Sequence, residues 1–409
     1  MVRERVGRMK RLSHQTLRSV LGFIAIVAGL GLVANELPAA ASTSTVPTIA
    51  WSNHVQASPS GINWASVAYG NGRFVAVGST STDGVVAISS DGQNWTTATQ
   101  GTARWAVVTY GDGRFVAIGA GGSPGTSEVM TLADGSTMWQ PGQLSSTTTS
   151  GWTSLIWTGG EFVAADFNAE IYASPDGTSW TRSAQLRRAH IGSLLSFGSA
   201  IIAFGAGVGS PSQWTSTDGG QSWSQPVATP FFGYGAAAGN GTAVIVANPT
   251  SGSDTTSPVV ATSSDGTTWT TQTGGKGIDW NQVSYGDGLF VAEADHYGAS
   301  SSPVVMISTD GVSWTLEPGA RDLTDGRWSA IAPGIIVTVG DAGQIETGTY
   351  ASPTTPTTTA PTTTTATTTP SPTALAATGA NLAAPLALSL SLLGLGGVML
   401  GRRRRGVRA

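Results

Sequence analysis

Seven tryptophans recur along the middle of the chain at nearly even intervals: Trp51, Trp95, Trp139, Trp180, Trp223, Trp269 and Trp314. The gaps are 44, 44, 41, 43, 46 and 45 residues, in a chain that holds only 14 Trp among 409 residues. A period of this size marks supersecondary units that bury their apolar faces only against one another. The first complete unit reads Trp64-Ala-Ser-Val-Ala-Tyr-Gly, Gly72-Arg-Phe-Val-Ala-Val-Gly, Val85-Val-Ala-Ile-Ser-Ser and Asn94-Trp-Thr-Thr-Ala-Thr. Each stretch is short, rich in β-branched or aromatic residues, and bounded by Gly, Asp or Asn, which are strand and hairpin signals. Four such strands per unit make one blade of a β-propeller.

Asn71-Gly72, Asp112-Gly113 and Asp287-Gly288 separate the first two stretches of their units. These dipeptides tolerate the positive φ of two-residue turns that match strand twist. The second stretch is almost wholly apolar (Phe74 to Val77, Phe115 to Ile118, Phe162 to Ala165, Phe290 to Ala292), as expected of a strand covered on both faces by neighbouring blades. First strands are expected near Trp64, Trp105, Trp152, Ile191, Tyr234, Trp280 and Trp328. The last unit stops one strand short, and Thr48-Ile-Ala-Trp-Ser-Asn repeats the fourth-strand pattern. The expected fold is therefore all-β: a seven-bladed β-propeller over residues 42–350 whose final blade is completed by an N-terminal strand, which covers both open edges. WD40 and kelch architectures are set aside, because neither Gly-His…Trp-Asp pairs nor a double glycine recurs at a fixed place.

A second signature lies between the third and fourth strands. It reads Ser89-Ser-Asp91-Gly92-Gln-Asn-Trp95, Ser174-Pro-Asp176-Gly177-Thr-Ser-Trp180, Ser263-Ser-Asp265-Gly266-Thr-Thr-Trp269 and Ser308-Thr-Asp310-Gly311-Val-Ser-Trp314, with a degenerate copy from Asp134 to Trp139. The fourth blade carries Ser216-Thr-Asp218-Gly-Gly220-Gln-Ser-Trp223, which matches the Ser-x-Asp-x-Gly-x-x-Trp box of bacterial neuraminidase repeats; the other copies are one residue shorter. The chain thus resembles the neuraminidase-type (Asp-box) repeat propellers over roughly residues 48–349. That resemblance implies the fold, and implies that these Asp residues serve structural turns remote from any catalytic centre. A calcium role is disfavoured, since one carboxylate per turn is poor for an ion that takes six or more oxygens.

The segments flanking the propeller predict an address. Residues 1–41 read as a signal peptide: Arg3, Arg5, Arg8, Lys10, Arg11 and Arg18 precede an apolar core from Val20 to Val33 and Ala39-Ala-Ala41. A retained anchor is the competing reading. Residues 351–374 form a Thr/Pro-rich linker, with 13 Thr and 5 Pro between Ser352 and Ala374 and no charge, a composition that cannot build a core and favours an extended spacer. Residues 375–409 then hold Leu375, Ala376, Ala377, Thr378 and Gly379, an apolar span from Leu382 to Leu400, and the basic residues Arg402 to Arg405. The order resembles a sortase cell-wall sorting signal, in the Leu-Ala-x-Thr-Gly variant of high-GC Gram-positive bacteria. It implies sortase and peptidoglycan as partners, cleavage after Thr378, and passage through the membrane as a helix over 382–400, a length that just spans a bilayer core. A plain single-pass membrane protein is the alternative.

Without these ends the exported part keeps 9 basic and 22 acidic residues, a balance near −13. Such an acidic domain should avoid nucleic acid, having no basic patch to replace phosphate counterions. The chain has no cysteine, so its core stands without disulfides.

Propellers usually bind on the face formed by the loops between blades and between second and third strands. The ligand-binding candidates there are Arg187, Arg188, His190, Glu293, Asp295, His296, Tyr297, Arg321 and Arg327, with Lys276, Asp322 and Asp325 as further polar groups and Phe231 and Phe232 as exposed aromatics. The family's neuraminidase activity would need three converging arginines and a Tyr nucleophile with a Glu partner, and its Arg-Ile-Pro stretch has no counterpart here. Glu293 and Asp295 offer a carboxylate pair of glycosidase type. Two separated histidines, His190 and His296, do not make a zinc site. No cofactor or metal is expected. The reading is a wall-anchored display module that binds an extracellular glycan or protein without catalysis; a surface glycoside hydrolase of neuraminidase or endoglucanase type and a structural envelope protein are the alternatives.

Overall fold

A computed structural model describes residues 46–353, apart from 53–54, 57–60, 122–125, 146–150, 187–188, 208–209, 249–259, 273–279, 295–304 and 318–327. Seven sheets, antiparallel apart from one short added strand, follow one another around a ring. Their inner strands are Asn63–Gly70, Arg104–Gly111, Trp152–Trp157, His190–Phe197, Phe232–Gly239, Trp280–Gly286 and Trp328–Ala332, each beginning within two residues of its expected start. The fold is an all-β, seven-bladed β-propeller.

Closure is as expected from the sequence. In blade 7 the order runs Trp328–Ala332, Ile335–Val339, Gln344–Thr349, and then Ala50–Trp51 as the outer strand. Ala50 pairs with Thr349 and Trp51 with Gly348, while the Ser52 amide donates to Thr347 O at 2.8 Å. Val55–Gln56 adds two more pairs to the start of the same strand. Blade 3 has a feature that no pattern announced: Gln143–Leu144, on the way in from blade 2, lies parallel along its outer strand Ser179–Gln185 and covers that edge.

The apolar second strands form the core between blades. Phe74, Phe115, Phe162 and Phe290 are fully buried, and burying each contributes about 1.5–3 kcal/mol relative to exposure. The Asn-Gly and Asp-Gly hairpins adopt the positive φ that their composition demands, 44° and 72° at Asn71 and Gly72, 49° and 76° at Asp287 and Gly288.

The recurrent Asp-Gly turn is a hydrogen-bonded device. Asp91 Oδ1 accepts from the amides of Gln93 and Asn94 at 2.9 and 2.8 Å, Ser89 Oγ accepts from the Gly92 amide at 2.9 Å, and Trp95 Nε1 donates to Gly92 O at 3.0 Å. The same carboxylate-to-amide pattern recurs at Asp176, Asp218, Asp265 and Asp310. These donors favour the ionised form: the Asn94 amide leads in holding Asp91 well below the usual carboxylate range, and the Ser222 hydroxyl leads in holding Asp218 at about 2.

The turn also explains its own glycine. A Cβ on Gly92 would stand 2.7 Å from Val337 of blade 7, one on Gly266 2.7 Å from Ile202 of blade 4, and one on Gly311 2.7 Å from Val244 of blade 5. Each turn is thus pressed onto the second strand of the preceding blade. Hairpin side chains of that blade hold it there: Arg73 Nη1 donates to Ser136 O at 3.1 Å, and Arg114 Nη1 to Asp176 O at 3.0 Å. The repeat motif is an inter-blade joint, and at Gly92, where Thr347 Oγ1 donates to the glycine carbonyl, it joins the first blade to the last.

Candidate functional site

The inner strands enclose an axial cavity of about 440 Å³ to which all seven blades contribute. The inner strands of blades 1 to 6 each carry a bulge, marked by register shifts such as Trp64/Ser66, Ile191/Ser193 and Trp280/Gln282. A bulge leaves one residue out of the ladder and re-aims its side chain. The bulges lie toward the loop face, where inner strands begin.

In blades 4 and 5 the bulged residues are Gly192 and Tyr234, and there they shape a second pocket. It measures about 210 Å³ and is lined by Phe167, His190, Phe232 and Tyr234 around the glycine backbone of 192, 205 and 233. Phe167 reaches it from a tight connection between the second and third strands of blade 3. The buried Asp166 carboxylate accepts from the Glu170 amide at 2.8 Å, Ala169 takes φ 60°, and the Phe167 ring is turned outward. His190 stacks on that ring, with centroids 4.6 Å apart and planes at 23°. Its Nδ1 lies 3.2 Å from Phe167 O; since a carbonyl only accepts, Nδ1 carries the proton in this pairing.

Phe167 is 49 % exposed and Tyr234 46 % exposed. Paired around one apolar depression, large exposed aromatics mark a recognition surface, because water contact with them costs free energy that a partner recovers. Glycine is required at the floor: a Cβ on Gly192 would stand 2.6 Å from Gly233 O of the next blade.

Of the residues singled out from the sequence, His190 and the half-buried Phe232 meet in this pocket. Two others are corrected. Glu293 belongs to the strand Leu289–Ala294 and is 1 % exposed; it faces blade 7, where Thr338 Oγ1 donates to its Oε1 at 2.9 Å. Its place in a second strand flanked by two blades, rather than in a rim loop, removes it from the loop surface. Phe231 is 4 % exposed and packs edge-on against Trp269, its centroid 6.2 Å away, so it is core. Arg187, Arg188, Lys276, Asp295, His296, Tyr297, Arg321, Asp322, Asp325 and Arg327 lie outside the described residues, as do the sorting motif from Leu375 to Gly379 and the apolar span 382–400. Among the described residues no helix is long and apolar enough to cross a membrane, and no group of three His, Asp or Glu could hold a metal.

Phe167 and Tyr234 escaped the sequence reading for identifiable reasons. The Asp166-Phe-Asn-Ala169 turn carries turn-forming Asp and Asn, but a turn signal does not say which way the Phe167 ring faces. Tyr234 sits inside a strand pattern, and only the bulge exposes it.

The geometry defines a seven-bladed propeller with an apolar, aromatic pocket on its loop face. No protein-family model and no curated protein matches the chain. Among solved structures it is similar to YCF48 bound to D1 peptide, at a TM-score of 0.54 and 14% identity over 78% of this chain and 100% of that one. It is also similar to virginiamycin B lyase from Staphylococcus aureus, in a catalytically inactive form with quinupristin, at a TM-score of 0.55 and 9% identity over 74% of this chain and 99% of that one. These likenesses establish the propeller fold.

Proposed function

We propose that this protein is an extracellular recognition module, exported by residues 1–41 and fixed to peptidoglycan by sortase through Thr378, whose loop-face pocket binds a segment of a partner protein. The observation that carries the reading is the exposed Phe167–Tyr234 pair flanking the apolar pocket. An apolar side chain suits this pocket better than a sugar, because hydroxyl groups buried there would lose water without gaining enough hydrogen-bond partners, at about 1–3 kcal/mol each. Precedent for ligand capture by this fold comes from YCF48, solved with a peptide. Tyr350 ends the propeller beside the hairpins of blades 6 and 7, its hydroxyl donating to Asp287 Oδ2 at 3.1 Å. Tyr350 therefore lies on the face opposite the pocket, an arrangement that suits display.

Binding without catalysis is favoured by Glu293, which is buried against Thr338 instead of facing a substrate. The test is capture of extracellular proteins and glycans by the full chain and by Tyr234→Ser and Phe167→Ser, with hydrolysis of each glycan followed in parallel. Loss of protein capture in both variants is expected. Glycan turnover, or protein capture indifferent to both substitutions, would reject the reading. For the anchor, Thr378→Ala should release the protein into the medium, and unchanged wall attachment would count against sortase.

A further inference from the structure

The rim pocket carries a recognition element more specific than its apolar walls. Of the two nitrogens of the His190 ring, only one is used inside the protein. Nδ1 donates to Phe167 O at 3.2 Å. A neutral imidazole holds one proton, so this pairing leaves Nε2 with a lone pair. Nε2 has no partner among the described residues. The ring is exposed at the pocket wall, so water serves Nε2 while the pocket is open. A partner that covers this wall removes that water, and a covered acceptor without a donor is costly. The occupant must therefore bring a hydrogen-bond donor as well as apolar surface.

Size, charge and shape narrow the choice. A volume of about 210 Å³ falls below the ~300–1,000 Å³ of sites that enclose whole small molecules, and it suits one large side chain. No charged side chain lines the pocket among the described residues. An arginine or lysine would lose its water there without a carboxylate to meet it. The exposed rings of Phe167 and Tyr234 favour an aromatic guest in offset or edge-on contact. The floor is glycine backbone, whereas His190 stands on the wall. A tyrosine entering ring first would carry its hydroxyl to the floor, away from Nε2. An indole carries its N–H on the flank of the ring, level with the wall. We infer that the pocket receives a tryptophan side chain of the partner protein, its indole N–H donating to His190 Nε2. This rests on the reading of the pocket as a protein-binding site and names the residue that anchors there.

The experiment is calorimetric titration of the full chain with capped peptides Gly-Ser-X-Ser-Gly, in which X is tryptophan, 1-methyltryptophan, tyrosine or leucine. 1-Methyltryptophan keeps the indole ring and lacks the N–H. The tryptophan peptide should bind most tightly, about three- to tenfold above its methylated analogue, the ratio one net hydrogen bond gives. His190→Phe keeps a ring beside Phe167 and removes the acceptor, so the two indole peptides should bind it alike; thermal unfolding verifies that the variant is folded. Tyr234→Ser should weaken every peptide. Equal binding of the two indole peptides to the wild type, tyrosine binding as tightly as tryptophan, or a preference that survives in His190→Phe would overturn the inference. In those cases sensitivity to Tyr234→Ser would still mark the pocket as the binding site. Binding indifferent to Tyr234→Ser, or no binding of any peptide, would overturn the inference together with the pocket reading beneath it.

Discussion

The ring of Tyr110 occupies the space that a side chain on Gly70 would need. Gly70 ends the inner strand of blade 1, and Tyr110 stands one residue before the matching glycine of blade 2, Gly111, with its hydroxyl 2.7 Å from Asp134 Oδ2. Trp157 fills the same socket at Gly111, and Tyr285 fills it at Gly239. An aromatic ring from one blade thus caps the missing side chain of the blade before it. Gly70→Ala should destabilise by about 1–3 kcal/mol, the usual cost of an extra methyl group in a packed site. Denaturant unfolding measures it, and an unchanged midpoint would show that the ring yields freely.

Closure of the ring makes the N-terminal strand indispensable. Ile49 is buried and Trp51 half-buried against blades 6 and 7, and their neighbours would be uncovered along with the edge of Gln344–Thr349. Removing residues 46–52 should cost about 3 kcal/mol or more and cause concentration-dependent association through the freed edge. Light scattering and thermal unfolding report both effects. A shortened chain that stays monomeric with the original Tm would contradict the latch.

Acid should loosen the Asp-Gly turns. Their carboxylates are held below the ordinary value of 3.8 by turn amides and hydroxyls, led by the Thr268 amide at Asp265. A depressed value means that the stabilisation is complete above about pH 4 and is lost as pH falls through the folded value, which is about 2 at Asp218. The stability difference between wild type and Asp218→Asn should therefore be largest near neutral pH and shrink toward about pH 2. A difference constant across that window would mean that the charge contributes nothing.

Buried Glu293 accepts a hydrogen bond from Thr338, 2 % exposed, whose hydroxyl donates to the carboxyl group across the joint between blades 6 and 7. Thr338→Val keeps the shape and removes the donor, so it should cost about 1–3 kcal/mol, whereas Thr338→Ser should retain most of the stability. Equal stability of the two variants would show that the hydrogen bond is immaterial.

Tyr234→Ser should be silent in stability, within about 0.5 kcal/mol as for ordinary surface positions, while the rim pocket loses its partner. Comparing melts with capture separates recognition from folding, and a marked loss of stability would make Tyr234 a structural residue.

Local chemistry alone determined much of this protein. The Trp period, the Asn-Gly and Asp-Gly hairpins and the apolar second strands each report a short stretch of chain, and together they specify seven blades, their starts and the borrowed outer strand. The Asp-Gly-Trp turns were legible for the same reason, since their hydrogen bonds stay within a few residues. Tertiary structure decided what happens between blades. Only the ring shows that Gly92 and its counterparts are seated on the preceding blade, that Glu293 and Phe231 are interior, and that Phe167, His190 and Tyr234, drawn from blades 3, 4 and 5, share one pocket. Their proximity arises from the angular stacking of neighbouring sheets and from two bulges that turn Gly192 and Tyr234 out of the ladder. Neither a strand period nor a turn residue encodes such long-range placement, because exposure within a strand is set by what the next blade leaves uncovered.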